Sequence, residues 1–218
     1  MRLYKFMRAK FGMMALRERR LRISRIEELN DDFEFVGLAL REKHERIALR
    51  VVRRQLNIDR GVICMSESWQ NPLMWAHYAD SYQGIVLGFD VDEGVFTKVQ
   101  YINSRPTLED FGITQLDEIT KEIFHKLIIL KAKGWSYEKE RRAFVALTDA
   151  DQINGTDHYF KPFGEIGVLR EVIVGLRNRE GREAVQAAVN DPAVDAFLTR
   201  GSFEEFKVVR QRDDTFWR

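Results

Sequence analysis

CMSESWQNPLMWAHYADSYQGIVLGFD, from Cys64 to Asp90, is the most informative part of the chain: it sets one His, a cluster of aromatic rings and several hydroxyls on a strand, a short helix and a second strand. Asn71 offers a side-chain oxygen to the unpaired backbone N–H groups of a helix start, and Pro72 has no N–H to waste at the first helical position. The spacing predicts a helix from Pro72 that Gly84 ends. Val62 to Ser66 and Ile85 to Phe89 are apolar runs of strand length on either side of it. A plain strand–helix–strand connection has no need of the MWAHY cluster, so a site is expected here.

Working outward, Arg2 to Phe6 predicts a first strand, Phe11 to Arg20 a short helix and Leu21 to Ser24 a second strand. Asn30, Asp31 and Asp32 mark a turn, because short polar side chains bond their own backbone. Leu38 to Leu56 is expected to be a helix with an apolar stripe of Leu40, Ile47, Val51 and Leu56, Ala48 and Val52 beside them. Its other face carries Arg41, Lys43, Arg46, Arg50, Arg53 and Arg54. Lys98 to Ile102 reads as an edge strand. Leu116, Ile119, Ile123, Leu127 and Leu130 recur at helical spacing, with Gly134 as the stop. Beyond it, Phe144 to Leu147, Val168 to Leu176 and Phe206 to Arg210 read as strands and Arg182 to Asn190 as a helix. Asp149 to Thr156 reads as a mobile loop. Strands and helices are too irregularly interspersed for a doubly wound sheet. The expected fold is α+β: one domain over residues 1–218, a mixed sheet with flanking helices.

A chain of 218 residues can bury one good core, and its net charge of +1 supplies no global pull toward nucleic acid or a membrane surface. The single cysteine, Cys64, excludes an intrachain disulfide and a thiolate-based zinc site, and fits a reducing compartment. The N-terminus lacks the apolar core of a signal peptide, and no window approaches the roughly 18 apolar residues of a membrane span. A cytoplasmic protein without a membrane partner is expected.

Three constellations could carry chemistry. Trp75, Tyr78 and Tyr82 can form one aromatic helix face with His77 at its margin. The rings serve equally as core or as a wall for a planar ligand. Glu138 and Glu140 point to one side if the backbone is extended, and paired carboxylates can divide acid–base labour. The same charges also read as a solvated run. Asp31, Asp32 and Glu34 could hold a divalent metal beside His77, or simply form a turn anchored by Phe33. Cys64 reads as a buried, inert thiol. Walker A, G-x-G-x-x-G, H-E-x-x-H and G-x-S-x-G motifs do not occur.

The blocks LYKF (Leu3 to Phe6), RISRIEELNDDFE (Arg22 to Glu34), CMSES and MWAHYADSYQGIVLGFD, GWSYEKERRAFV (Gly134 to Val145) and EVIVG (Glu171 to Gly175) resemble, in this order, the bacterial domain-of-unknown-function 2971 family with its AbiGi-like abortive-infection relatives. That family commonly has Pro where this chain has Asp32. The block order is also distantly similar to the ADP-ribosyltransferase superfamily, including its DarT-like nucleic-acid modifiers. This second resemblance implies a split mixed sheet that grips NAD as substrate. It implies that Tyr4 or Lys5 contacts the dinucleotide, that Tyr78, Tyr82 or Trp75 stacks on nicotinamide, that Glu140 is the catalytic carboxylate and that Glu138 faces the acceptor. Lys5, Arg22 or Arg25 would neutralise the pyrophosphate.

The expected activity is accordingly that of an NAD-dependent ADP-ribosyltransferase or NAD glycohydrolase, a toxin or phage-defence effector with a nucleic-acid or protein acceptor and no metal. The alternatives are a metal-dependent nuclease using Asp31, Asp32, Glu34 and His77, and a non-catalytic module that binds a nucleotide or peptide. Oligomeric state is left open.

Overall fold

The structure, a computed structural model, describes residues 1–31, 33 and 37–217. In chain order it contains β1 (Arg2–Met7), α1 (Ala9–Glu18), β2 (Arg20–Arg25), α2 (Lys43–Asp59), β3 (Arg60–Ser66), α3 (Pro72–Tyr78), β4 (Ile85–Asp90), β5 (Thr97–Lys98), β6 (Gln100–Ile102) and α4 (Lys121–Ile128). There follow β7 (Leu130–Ala132), β8 (Glu140–Ala146), β9 (Asp151–Ile153), β10 (Thr156–Pro162), α5 (Phe163–Ile166), β11 (Val168–Val174), α6 (Arg182–Val189), β12 (Asp195–Gly201) and β13 (Val208–Arg210). The fold is mixed α+β, a large mixed sheet with flanking helices.

The sheet runs β13-β12-β11-β4-β1-β3-β2-β10-β9, with β8 along the other edge of β3 and β5 beside β8. β11 and β12 are parallel, and the other pairs of this sheet are antiparallel. Both faces of its centre are covered. Ile85, Leu87 and Phe89 of β4 pack with Met13 and Leu16 of α1 and Val185 of α6, while Val86 packs with Met74 and Trp75 of α3. That is why β4 is a continuous apolar run rather than an alternating one. Gly12 permits the close approach of α1, since a Cβ there would lie 2.9 Å from Ile85 Cβ.

The join between β1 and β3 positions the site. β1 pairs with β4 along its full length but meets β3 at a single register pair, Tyr4↔Ser66. At the opposite end of β3, β2 takes the same role through Ser24↔Val62 and Arg25↔Gly61. Between these joins the two strands part, and Lys5 Nζ donates to the Cys64 carbonyl across the gap at 3.1 Å. A small parallel pair, β6 and β7, stands off the main sheet with Tyr101 opposite Lys131.

Several expectations need correction. α2 begins at Lys43, not Leu38, and Ile47, Val51 and Val52 of its expected core stripe are exposed. Its inner side is made by half-buried Leu49 and Leu56 and by buried Asn57, whose side chain bonds Glu27 through both backbone and carboxylate. The helix expected over Leu116 to Leu130 is broken. A 3-10 turn spans Leu116–Glu118, and α4 starts afresh at Lys121 because Thr120 accepts from the Ile123 N–H at 3.3 Å. Leu130 is drawn into β7, and Gly134 falls inside a 3-10 segment, Lys133–Glu138.

Asp149 to Thr156 is largely a hairpin. Asn154 and Gly155, at φ 53° and 75°, supply the left-handed pair that a two-residue β-turn demands. α3 stops at Tyr78, short of Gly84, and the chain passes through three consecutive left-handed residues, Asp80, Ser81 and Tyr82, at φ 49°, 51° and 71°. Phe206 lies outside β13, and β12 was not expected from the sequence. Among the described residues no helix is long and apolar enough to cross a membrane.

Candidate functional site

A cavity of about 280 Å³ opens at the gap between β1 and β3. Tyr4, Lys5 and Phe6 of β1 form one side, and Cys64, Met65 and Ser66 of β3 another. Met74 and Tyr78 of α3 and the Glu28–Asn30 segment close it, and Lys131, Glu138 and Glu140 lie at its polar end. The volume is at the small end for a ligand pocket, suited to one ring or sugar with the remainder of a larger ligand outside.

Strand periodicity builds the polar end. Glu140 and Arg142, two apart on β8, face the same side, and Arg141 faces the other, where it pairs with Glu67 at 2.8 Å. Arg142 is 0% exposed and grips Glu140 bidentately, Nε to Oε1 and Nη2 to Oε2, each at 2.9 Å. Lys131, delivered by β7, donates to Glu140 at 3.0 Å and to Glu138 at 2.5 Å. The Tyr78 hydroxyl donates to Glu138 and accepts from Asn30 Nδ2 at 2.7 Å. The Tyr101 hydroxyl accepts from the Glu140 N–H at 2.8 Å. Two carboxylates and two cations thus form a buried, formally neutral quartet.

Glu138 and Glu140 converge without the extended backbone expected of them. Glu138 ends the Lys133–Glu138 turn, Lys139 is left-handed at φ 45°, and only Glu140 is on the strand. Ser66 Oγ donates to the Glu138 carbonyl at 2.6 Å, and Asn71 Nδ2 donates to the Tyr137 carbonyl at 3.2 Å, so the CMSES block fastens the turn in place.

The surroundings drive the two acids apart. Burial pushes the Glu140 carboxyl up, but the Arg142 guanidinium and then Lys131 more than reverse this and hold it at about 2. Burial also pushes Glu138 up, and Lys131 and Tyr78 reverse it only in part, so its carboxyl stays above the ordinary range. Burial and the Glu171 carboxylate push the Tyr4 hydroxyl up to about 12, and burial raises the Cys64 thiol, which stays protonated. Divergent titration of neighbouring acids is the arrangement that separates a permanent anion from a group able to exchange a proton.

Tyr4, Lys5, Tyr78, Glu138 and Glu140 therefore meet at one cavity. Trp75, His77 and Tyr82 do not line it. Trp75 is 0% exposed, donates its indole N–H to the Trp69 carbonyl at 2.6 Å and packs edge-on against Phe6, so it is core. Tyr82 is carried off the α3 face by the left-handed turn and stacks on Trp75 at 6.5 Å. His77 points to the exposed side of α3, near Tyr137. Arg22 is committed to Glu28 at 2.6 Å, and Arg25 lies over the Tyr159 ring. Asp31 is buried and accepts from the Phe33 N–H, while Asp32 and Glu34 lie outside the described residues. Among the described residues no three His, Cys, Asp or Glu side chains are grouped to hold a metal ion.

Arg142 and Lys131 were missed. The alternation E-x-R on a strand gives a signal for Arg142, since residues two apart share a face. Lys131 has no such signal: it lies between the last apolar position of the expected helix, Leu130, and its Gly134 stop, and the pairing of β7 with β6 brings it to the site.

Residues 74–143 match the model of a family described as Protein of unknown function (DUF2971), covering α3 through most of the quartet-bearing segment. No curated protein and no solved structure matches the chain.

Proposed function

With the domain-of-unknown-function 2971 family as the premise, we propose that this protein cleaves the N-glycosidic bond of NAD and passes the ADP-ribose to water or to a nucleic-acid or protein acceptor. One observation carries the reading: Tyr78 and Glu140 face the same cavity, with Lys5 on its rim and Glu138 between them. In the proposed step the bond from ribose C1′ to the nicotinamide nitrogen breaks, and its electron pair leaves with the ring, which becomes neutral. The ribose gains oxocarbenium character. A carboxylate that remains ionised, as Glu140 does, favours that charge more in the transition state than in the ground state. The acceptor oxygen or nitrogen then bonds to C1′ and releases its proton to Glu138, the acid whose carboxyl is held higher. Tyr78 supplies the ring against nicotinamide, and Lys5 a cation for the pyrophosphate.

The test is nicotinamide release from NAD by wild type, Glu138→Gln and Lys5→Met, with folding checked by circular dichroism and NAD binding by calorimetry. Glu140→Gln is a poor first variant, because it leaves the Arg142 charge buried with a weaker partner. Release by wild type that falls at least ten-fold in Glu138→Gln supports the reading. Absence of both release and binding removes it.

A second reading, a non-catalytic nucleotide-binding module, draws on the completeness of the quartet, whose charges already balance one another. It predicts binding without turnover and a Glu138→Gln variant that binds as wild type does.

A further inference from the structure

Two surface features remain outside this site, and each is chemically the counterpart of the other. The turn from β12 to β13 reads Ser202-Phe203-Glu204-Glu205-Phe206-Lys207. Phe203 is 90% exposed and Phe206 100% exposed. Arg200 lies over the Phe203 ring at 4.5 Å, and the Lys207 N–H bonds the Glu205 carbonyl at 2.8 Å, so the turn is locally fixed. Among the described residues Glu205 pairs only with Lys207, two residues on, and Glu204 has no ion-pair partner. Two fully wetted phenylalanines around two glutamates on one hairpin tip are an unusual concentration of exposed ring area.

On α2, Ile47, Val51 and Ile58 are 51%, 64% and 60% exposed and recur at spacings of four and seven, which puts them in one row on the outer side of the helix. Lys43, Arg50 and Arg54 form the adjoining row, and none of the three has an ion-pair partner among the described residues. An apolar row beside a basic row suits this aromatic tip: its rings lie on the aliphatic side chains, and the carboxylate of Glu204, which Lys207 leaves unpaired, meets the basic row.

We propose that the Phe203–Phe206 tip of one copy of this chain docks on the α2 face, Ile47–Ile58, of a second copy. The contact is heterologous, tip to face, so each copy retains one unused tip and one unused face and the association extends beyond a pair unless its rotation closes a ring. Its rim is ionic and weakens with salt.

The experiment is sedimentation of the full chain over a range of concentrations at low and high salt. The two variants are Phe203→Ser/Phe206→Ser at the tip and Ile47→Glu/Val51→Glu on the face. These positions are exposed, so the fold tolerates the changes, and circular dichroism checks this. The expected result is a wild-type mass that rises with concentration and falls with salt, and monomers for each variant alone. An equimolar mixture of the two variants has one intact tip and one intact face, so it should form pairs of twice the monomer mass and nothing larger. The proposal is overturned by a wild type that stays monomeric at all concentrations, by association that survives the tip variant, or by a mixture that remains monomeric. Self-association of the face variant alone would mean tip-to-tip contact, and self-association of the tip variant alone would mean face-to-face contact; either overturns the proposal. A monomeric wild type whose α2 face instead binds vesicles containing phosphatidylserine would assign that face to an anionic membrane surface.

Discussion

Glu-Lys-Glu-Arg-Arg at residues 138–142 and Arg-Val-Val-Arg-Arg at residues 50–54 are both short runs rich in charge, and the fold treats them in opposite ways. In the first, strand geometry turns Glu140 and Arg142 inward, where Lys131 and Glu138 complete a buried quartet. In the second, helical geometry turns Arg50 and Arg54 to water, beside valines and isoleucines left equally exposed. A surface charge contributes little because water screens it. A buried one is expensive to leave without its partner, whatever the net worth of the pair. Charge in a sequence therefore acquires its energetic meaning from the period of the element that carries it.

The sharpest way to break this contrast is Arg142→Met. It leaves two buried carboxylates facing one lysine, and should lower unfolding free energy by about 3–5 kcal/mol in urea titrations. A loss below about 1 kcal/mol would place the quartet on the same footing as the surface charges.

Acid titration comes next. Glu140 is held at about 2, below its unfolded value of about 4.3. The stability it contributes is therefore present above pH ~4.3 and is lost as pH falls toward about 2. Glu138 has the opposite sign: its carboxyl is raised, so its contribution is present at low pH and is lost as pH rises through the folded value. Chemical unfolding measured across this range should show a steep acid loss in wild type and a shallower one in Glu140→Gln.

Tyr78→Phe tests the link between cavity wall and quartet. Removing the hydroxyl that joins Asn30 to Glu138 should cost about 1–3 kcal/mol. The smallest change is Arg54→Ala, expected within about 0.5 kcal/mol of wild type in the same assay. A larger loss would mean that the α2 face is already partnered in solution.

The strand–helix–strand core around α3 was legible because its signals are local: Asn71 does accept from the Leu73 N–H at 2.9 Å, and β4 is apolar from Ile85 to Phe89. Tyr4, Lys5, Tyr78, Glu138 and Glu140 were also in view as candidates. Trp75 took the core alternative of its two readings, and Tyr82 left the expected aromatic face because the helix stops at Tyr78; nothing in Asp80-Ser81-Tyr82 announces three left-handed residues without glycine. The apolar stripe of α2 failed for another reason. Periodicity reports that an amphipathic face exists, not that the rest of the fold covers it. Of the partners of Glu140, Arg142 is two residues on along the same strand, but Tyr101 comes from β6 and Lys131 from a strand disguised as the end of a helix. Long-range pairing of this kind leaves no short-range trace.

The single register pair Tyr4↔Ser66 has a mechanical consequence. On one side of it stand β13, β12, β11, β4 and β1, and on the other β3, β8, β2, β10 and β9. Cooperative unfolding follows such seams, so native-state hydrogen exchange should sort amides into two groups that open with separate free energies. The cavity straddles this seam, with Lys5 contributed by one half and Glu140 by the other. A molecule seated there would act as a rivet, raising the protection of strands that it never touches.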